Sequence, residues 1–394
     1  MQLSVIILNY NVRYFLELCV LSVQKAIQNL DAEIIVIDNN SSDDSCAMIK
    51  QRFPNIKLIE NKGNLGFPKG NNIGVKEAKG EFICILNPDT VVAEDTFEKV
   101  LSFVSSRARH PERSRGTSDD LGIVGCKLID GTGNFLPESK RGVPTPWVAF
   151  TKIFGLYKIS NVFGKYYAQH LTENQTGKVD ILVGAFMVMK RELYNELGGF
   201  DENCFMYADD IDLSYRALLL KKQNYYFHET TVIHYKGEST VRDETYMKRF
   251  QEAMNFFYKK HFKRSLFFNL MARFGAFYFS IVKLFQAKTT AKKPPSKYIL
   301  ISENEGVIEK LESKLQKNIE RTVLEKGKIV FLQSISKKEK TEIILDTNYL
   351  NFKDAITFFE KNKCYYFTYK LLPIESNFII GSNKSKDRGE ILLI

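Results

Sequence analysis

Residues 1–90 alternate two kinds of apolar pattern, and that alternation narrows the possible folds more than any other feature of the chain. Val5-Ile6-Ile7-Leu8, Ile34-Ile35-Val36-Ile37, residues 56–59 and Phe82-Ile83-Cys84-Ile85-Leu86 are short runs with few polar breaks. A strand with one wet face alternates polar and apolar residues, whereas a continuous apolar run must be covered on both faces. Between these runs lie stretches with helical spacing. Leu16, Val20, Val23 and Ile27 follow the first run, and a turn-rich entry at Asn64-Leu65-Gly66-Phe67-Pro68-Lys69-Gly70-Asn71-Asn72 leads into a helix toward Ala78. Such β-α-β-α order predicts a mostly parallel sheet with helices on both faces. Ligands of these sheets sit at the carboxyl ends of the strands, where Asp38 and Asp89 both fall.

The pattern breaks at residues 107–120, a basic and polar stretch that reads as an exposed loop. A strand is expected over 122–129 and another apolar run covers 181–189. Gly198-Gly199-Phe200-Asp201 reads as a turn, and Asp209-Asp210-Ile211-Asp212 opens a helix whose buried face is Leu213, Ala217 and Leu220. Beyond residue 240 the texture changes. Residues 241–290 form an aromatic, amphipathic helical extension, residues 291–296 a Lys- and Pro-rich linker, and residues 297–394 a small Rossmann-like α/β domain with strand-like runs at 299–302, 328–331 and 342–345.

Composition sets limits on partners. The formal net charge is +10 over 394 residues, which either favours anionic partners such as nucleotide phosphates or acidic headgroups, or serves solubility alone. The basic residues are spread along the chain, which argues against nucleic acid. The six cysteines have neither C-x-x-C nor zinc spacing, as in a protein of a reducing compartment. The first residues lead directly into a strand-like run without a charged, then apolar, leader pattern, so no signal peptide is expected.

Several strings occur in a telling order. They are Val5-Ile6-Ile7-Leu8-Asn9-Tyr10-Asn11, Val36-Ile37-Asp38-Asn39-Asn40-Ser41-Ser42-Asp43, Asn64-Leu65-Gly66-Phe67 and Leu86-Asn87-Pro88-Asp89-Thr90. Gly184-Ala185-Phe186-Met187, Gly199-Phe200-Asp201-Glu202, Met206-Tyr207-Ala208-Asp209-Asp210-Ile211-Asp212-Leu213 and His234-Tyr235-Lys236-Gly237-Glu238-Ser239-Thr240 follow. Together they resemble family 2 glycosyltransferases of the GT-A fold, and within them the bacterial rhamnosyltransferase-like branch. The resemblance covers residues 1–240. It implies a GT-A-type, Rossmann-like mixed sheet flanked by helices, and an inverting transfer from a UDP- or dTDP-sugar.

The resemblance also implies roles. Asn9, Asn11, Asp38, Asn40, Asn64, Gly66, Asn71 and Asn87 fall in the nucleotide half, with Asp38 on the pyrimidine base; a turn Asp closing a strand is the plainer reading of Asp38. Asp89 would be the surviving carboxylate of a metal-binding Asp-x-Asp, here with Asn87 in the first place, unless Asn87-Pro88-Asp89-Thr90 is only a turn. His234 would assist in holding Mg²⁺ or Mn²⁺, or else be structural. Lys236 and Ser239 would contact the diphosphate. Asp210 occupies the general-base position and Asp209 the place of the usual Glu, while acids opening a helix also complement its dipole. Lys140 and Arg141 either face phosphates or form a solvated charge run.

The expected acceptor is a cell-surface polysaccharide or lipid-linked glycan, with dTDP-rhamnose favoured as donor by the branch alone. The aromatic segment 262–285, with Arg273 in its middle, suits an interfacial helix on the inner membrane face or a helix packed on the first domain. A cytoplasmic, peripherally held protein follows from the first reading. A non-catalytic sugar-nucleotide-binding module is the alternative that Asn87 keeps open.

Overall fold

The computed structural model describes residues 1–109, 120–145, 147–148, 166–236, 244–262, 294–323, 339–383 and 389–394. Ser239, most of the loop at 107–120, the aromatic segment beyond residue 262, the start of the linker and the run at 328–331 lie outside these residues.

Two sheets organise the described chain. In the first, β1 (Leu3–Asn9) lies parallel between β2 (Ala32–Asp38) and β4 (Phe82–Leu86), and β3 (Lys57–Glu60) extends the parallel half beyond β2. Every residue of β1 and β4 is buried, as their uninterrupted apolar runs require. Helices α1 (Arg13–Ala26), α2 (Ser45–Arg52) and α3 (Gly66–Lys76) connect these strands. The apolar stripe of α1, Phe15, Leu16, Cys19, Val20 and Val23, is buried.

The far half of the sheet makes it mixed. After β5 (Thr90–Val91) and α4 (Thr96–Arg109) come β6 (Leu121–Ile129), β7 (Gly177–Val179), β8 (Phe186–Lys190), α5 (Arg191–Glu196), α6 (Asp209–Leu219) and β9 (Gln223–His234). β8 runs antiparallel to β4, and β9 pairs in parallel with β6 and antiparallel with β5 and β7. The apolar run expected at 181–189 is not one strand. Ile181 bridges to Arg141, and the chain turns through Gly184 before β8 begins at Phe186. The interruption has a polar cause, since the Gly184 N–H reaches the Asp210 carboxylate at the start of α6.

Helix α7 (Glu244–His261) packs beside α6. Asp212 on α6 is buried and accepts from Arg216 (2.8 Å), from Lys260 and from His261 (2.7 Å). Beyond the linker, β10 (Lys297–Ile301), β11 (Ile319–Thr322), β12 (Thr341–Asp346) and β13 (Phe367–Leu372) are parallel, and β14 (Phe378–Gly381) and β15 (Glu390–Leu393) complete the sheet antiparallel, in the order β11-β10-β12-β13-β14-β15. Helices α8 (Glu305–Leu315) and α9 (Phe352–Lys361) belong to this sheet.

The two sheets share one apolar cluster, in which Phe15 and Tyr235 belong with Phe352, Phe358 and Phe378. Tyr14 meets Phe378 edge-on at 4.8 Å. The Glu94 carboxylate accepts from the N–H groups of Phe352 (2.7 Å) and Lys353 (2.8 Å), which caps α9 from the first sheet. Lys127, almost fully buried, is ion-paired with Glu360 on the same helix.

Candidate active site

The carboxyl ends of β1, β2 and β4 converge with the start of α6 around a cavity of about 240 Å³. Asn9, Asn64, Gly66, Asn87, Asp209 and Asp210 line it, together with Tyr10, Asn39, Gly184, Met206 and Tyr207. Its wall is built locally. Gly66 has φ +81°, and a Cβ there would stand 2.8 Å from the Phe205 carbonyl oxygen, while Phe67 N–H donates to that same oxygen at 3.0 Å. The 201–208 loop is thereby clamped on the head of α3.

Asp38 closes β2 as a turn-former. Its Oδ1 accepts from Asn9 Nδ2 and Ser41 Oγ, and its Oδ2 from Ser41 N, all at 2.7 Å. Asn11 accepts from Ser42 N at 2.7 Å and so ties the β1 loop to the β2 loop. Asn11 and Asn40 have φ of +56° and +63°, conformations that Asn tolerates better than most residues. Asn71 sits inside α3, donating to the Phe67 carbonyl at 2.9 Å, with its Oδ1 buried and unpartnered. These four are not among the residues lining the cavity; Asn39 is, and it donates to the Gly66 carbonyl at 3.2 Å.

Asn87, Asp89 and His234 form a second group at the end of β4. The Thr90–His234 pairing of β5 with β9 sets Asp89 beside His234, with Asp89 Oδ1 3.4 Å from His234 Nε2. Asn87 Nδ2 is 3.4 Å from the same Nε2. Asn87 Oδ1 and His234 Nδ1 are buried without hydrogen-bond partners. Such orphaned donors and acceptors carry a desolvation cost that a ligand would relieve. Asp89 Oδ1 and Asn87 Nδ2 both face His234 Nε2, and with the Asn87 amide turned so that its oxygen takes that place, carboxylate, imidazole and amide oxygen would fit a divalent cation that keeps water or diphosphate oxygens as its other ligands. Among the described residues no group of three or more His, Cys, Asp and Glu is poised for a metal, so Asn87 would be the third protein ligand. Lys236 lies two residues past His234 and is ion-paired with Glu138. Burial pushes Glu138 up, but the Lys236 charge outweighs it and holds the carboxyl below the usual range.

The acidic pair is split by its surroundings. Asp210 Oδ2 accepts from Arg141 Nη2 at 2.7 Å and from Gly184 N at 3.1 Å. Arg141 is itself buried; burial disfavours its charge, and the Asp210 carboxylate more than restores it. Asp209 has no such partner for Oδ1, and burial together with the Asp210 charge pushes it up to about 7. Neither alternative foreseen for Lys140 describes it. Its ammonium is buried and donates to the carbonyls of Tyr167 (3.1 Å), Ala168 (3.2 Å) and Leu171 (2.8 Å), anchoring that loop. Sequence reasoning also missed the pairing of Arg141 with Asp210 and of Glu138 with Lys236. Only the basic doublet itself was visible as a signal.

Residues 4–110 match glycosyl transferase family 2. The N-acetylglucosaminyl-diphospho-decaprenol L-rhamnosyltransferase of Mycobacterium tuberculosis is 25% identical over 221 residues, covering 53% of this chain and 68% of its own length. The rhamnosyltransferase WbbL of Escherichia coli is 27% identical over 228 residues, covering 54% of this chain and 78% of its own. Among solved structures, the mannosyltransferase PcManGT of Pyrobaculum calidifontis, in complex with GDP-Man and Mn²⁺, overlays 73% of this chain and 76% of its own at 15% identity, with a TM-score of 0.46. Residues 4–110 thus carry the match to glycosyl transferase family 2, and over about half of its length the chain is similar to rhamnosyltransferases.

Proposed function

We propose that the chain is an inverting glycosyltransferase that moves a hexosyl or rhamnosyl unit from a UDP- or dTDP-sugar to a polysaccharide or lipid-linked glycan, with dTDP-rhamnose the favoured donor. The observation that carries this reading is the Arg141-held Asp210 carboxylate on the wall of a cavity that also takes in the ends of β1 and β4. The rhamnosyltransferase relatives support the choice of sugar, and the decaprenol-diphosphate named in one of them supports a lipid-linked acceptor.

In this reading the nucleotide lies over Asn9, Asn39 and Asn64, with Asp38, Asn11 and Asn40 shaping the loops beneath it. Asp210 accepts the proton of the acceptor hydroxyl while that oxygen attacks the anomeric carbon from the face opposite the nucleoside diphosphate. The glycosidic bond forms as the bond to the diphosphate oxygen breaks, and the configuration inverts. Arg141 and the Gly184 N–H, both donating to Oδ2, orient the base. A divalent cation held by Asp89, His234 and Asn87 would neutralise the departing diphosphate, and Lys236, with Ser239, would add charge and a hydroxyl beside it.

Asp210→Asn is expected to lower transfer by about 10²- to 10⁴-fold while UDP affinity stays within a few-fold. Near wild-type turnover would remove Asp210 from the mechanism. Calorimetric titration of UDP with Mn²⁺ and with EDTA tests the cation, and Asp89→Ala should weaken only the Mn²⁺-dependent part. Equal affinity in EDTA would assign the diphosphate to basic side chains alone.

A further inference from the structure

The second sheet carries a larger cavity, of about 800 Å³, far from the strand ends where an α/β sheet usually binds its ligand. Tyr298 opens β10, Lys340 and Glu342 open β12, and Tyr366 and Phe367 open β13, so the cavity lies at the amino ends of the parallel strands. At the carboxyl ends polar groups are paired with one another. Ser302 donates to Asp346 at 2.6 Å, Asp346 also accepts from Asn348, and the first N–H groups of α9 are taken by Glu94. The helix N-termini that would bind a phosphate therefore face away from the cavity.

Its chemistry is not that of an anion site either. Lys370 in its floor is almost fully buried, and its ammonium donates to Glu390 (2.9 Å), Asn383 (3.1 Å) and the Gly381 carbonyl (3.4 Å), with Glu342 at 3.9 Å. Glu390 and Glu342 thus compensate this buried cation, while Lys340 and Lys363 also line the cavity. What remains is a mixed set of donors and acceptors, with an aromatic platform. Tyr365 is 88% exposed and Tyr366 stands perpendicular to it, with ring centroids 5.3 Å apart. A bare tyrosine face beside balanced hydrogen-bonding groups matches a pyranose, whose ring presents C–H bonds on one face and hydroxyls at its edge.

The cavity also takes walls from both sheets. Thr132 and Asn134 reach it from the turn after β6, where Asp130 Oδ1 accepts from Thr132 N (2.8 Å) and Asn134 N (3.0 Å). Gly133 between them, at φ +81°, lies so close to α9 that a Cβ would strike the Phe359 carbonyl oxygen. The cavity's volume is in the range of small-molecule sites.

We propose that this cavity is a non-catalytic carbohydrate site that seats a neutral pyranose on the Tyr365 ring. That the sugar belongs to the acceptor glycan rests on the glycosyltransferase reading above; the binding itself does not. A second hold on the acceptor raises its effective concentration at the first cavity.

Saturation-transfer NMR on the full chain, with methyl α-L-rhamnoside, maltose and chitobiose as probes, tests it. At least one probe should receive saturation, and Tyr365→Ala should weaken its affinity about fivefold or more. Because Tyr365 is exposed, its loss leaves the fold intact, which an unchanged melting curve checks. Lys363→Ala provides a second variant on the same wall. Asp210→Asn should leave probe binding unchanged, so failure of the catalytic assignment and failure of this site are told apart. No transfer to any probe, transfer that survives Tyr365→Ala with Tyr366→Ala, or UDP affinity that falls in the tyrosine variants would each overturn the proposal.

Discussion

Asp209 and Asp210 are adjacent in the chain, yet their surroundings differ. Asp210 has a guanidinium and a backbone N–H on one oxygen, while Asp209 has burial and a neighbouring negative charge. The Asp209 pKa, about 7 when folded against an ordinary 3.8, means that the folded chain binds more protons between those values. Its contribution to stability is therefore complete below about pH 4 and is lost as pH rises through about 7. Asp209→Asn should relieve that loss. Its melting temperature relative to wild type should rise between pH 4.5 and pH 8, by about 2 °C or more, in matched thermal scans. A constant difference across the range would show that Asp209 is not protonated near neutrality. Sequence placed the pair at a helix start because acids there have a local signature. It could not pair Arg141 with Asp210, because 69 residues separate them and no periodicity links a loop arginine to a distant helix.

At the scale of elements, the strands of the parallel half were legible because a run buried on both faces cannot hide its composition. β1, β2 and β4 fall where their apolar runs stand. The stretch before β8 was not, since a polar contact made by Gly184 breaks an apolar run that periodicity alone would continue. The start of α9 shows the same limit from another direction. Asn351 caps it locally by accepting from Asp354 N at 2.7 Å, while the two preceding N–H groups go to Glu94, which is 258 residues from Phe352. A carboxylate accepting two helix N–H groups is a charge-assisted cap. Glu94→Ala should cost about 1–2 kcal/mol in urea unfolding, and Glu94→Gln part of that. An unchanged midpoint for both would mean that water replaces the cap without loss.

For the whole molecule, the membrane question turns on what lies beyond α7. No helix among the described residues is long and apolar enough to cross a bilayer. Peripheral attachment through the basic and aromatic stretch after residue 262 predicts co-sedimentation with anionic vesicles at low salt and release at high salt, each basic residue near the surface adding roughly 1 kcal/mol. Retention after carbonate would indicate insertion, and no binding at low salt would mean that the aromatic face packs against the protein. The shared core was the least legible feature of all, because a Lys- and Pro-rich linker reads as a divide, whereas Phe15 and Phe378 belong to one cluster. The Glu94 cap gives that union a direction in time. The ribosome releases the first sheet before it has made residue 352, so the carboxylate is in place before the helix it starts. The later sheet then grows on a surface already set, as a casting takes its shape from a mould. A lineage that exchanged this tail for another would have to bring a new helix start to meet Glu94, or leave its charge with nothing to hold.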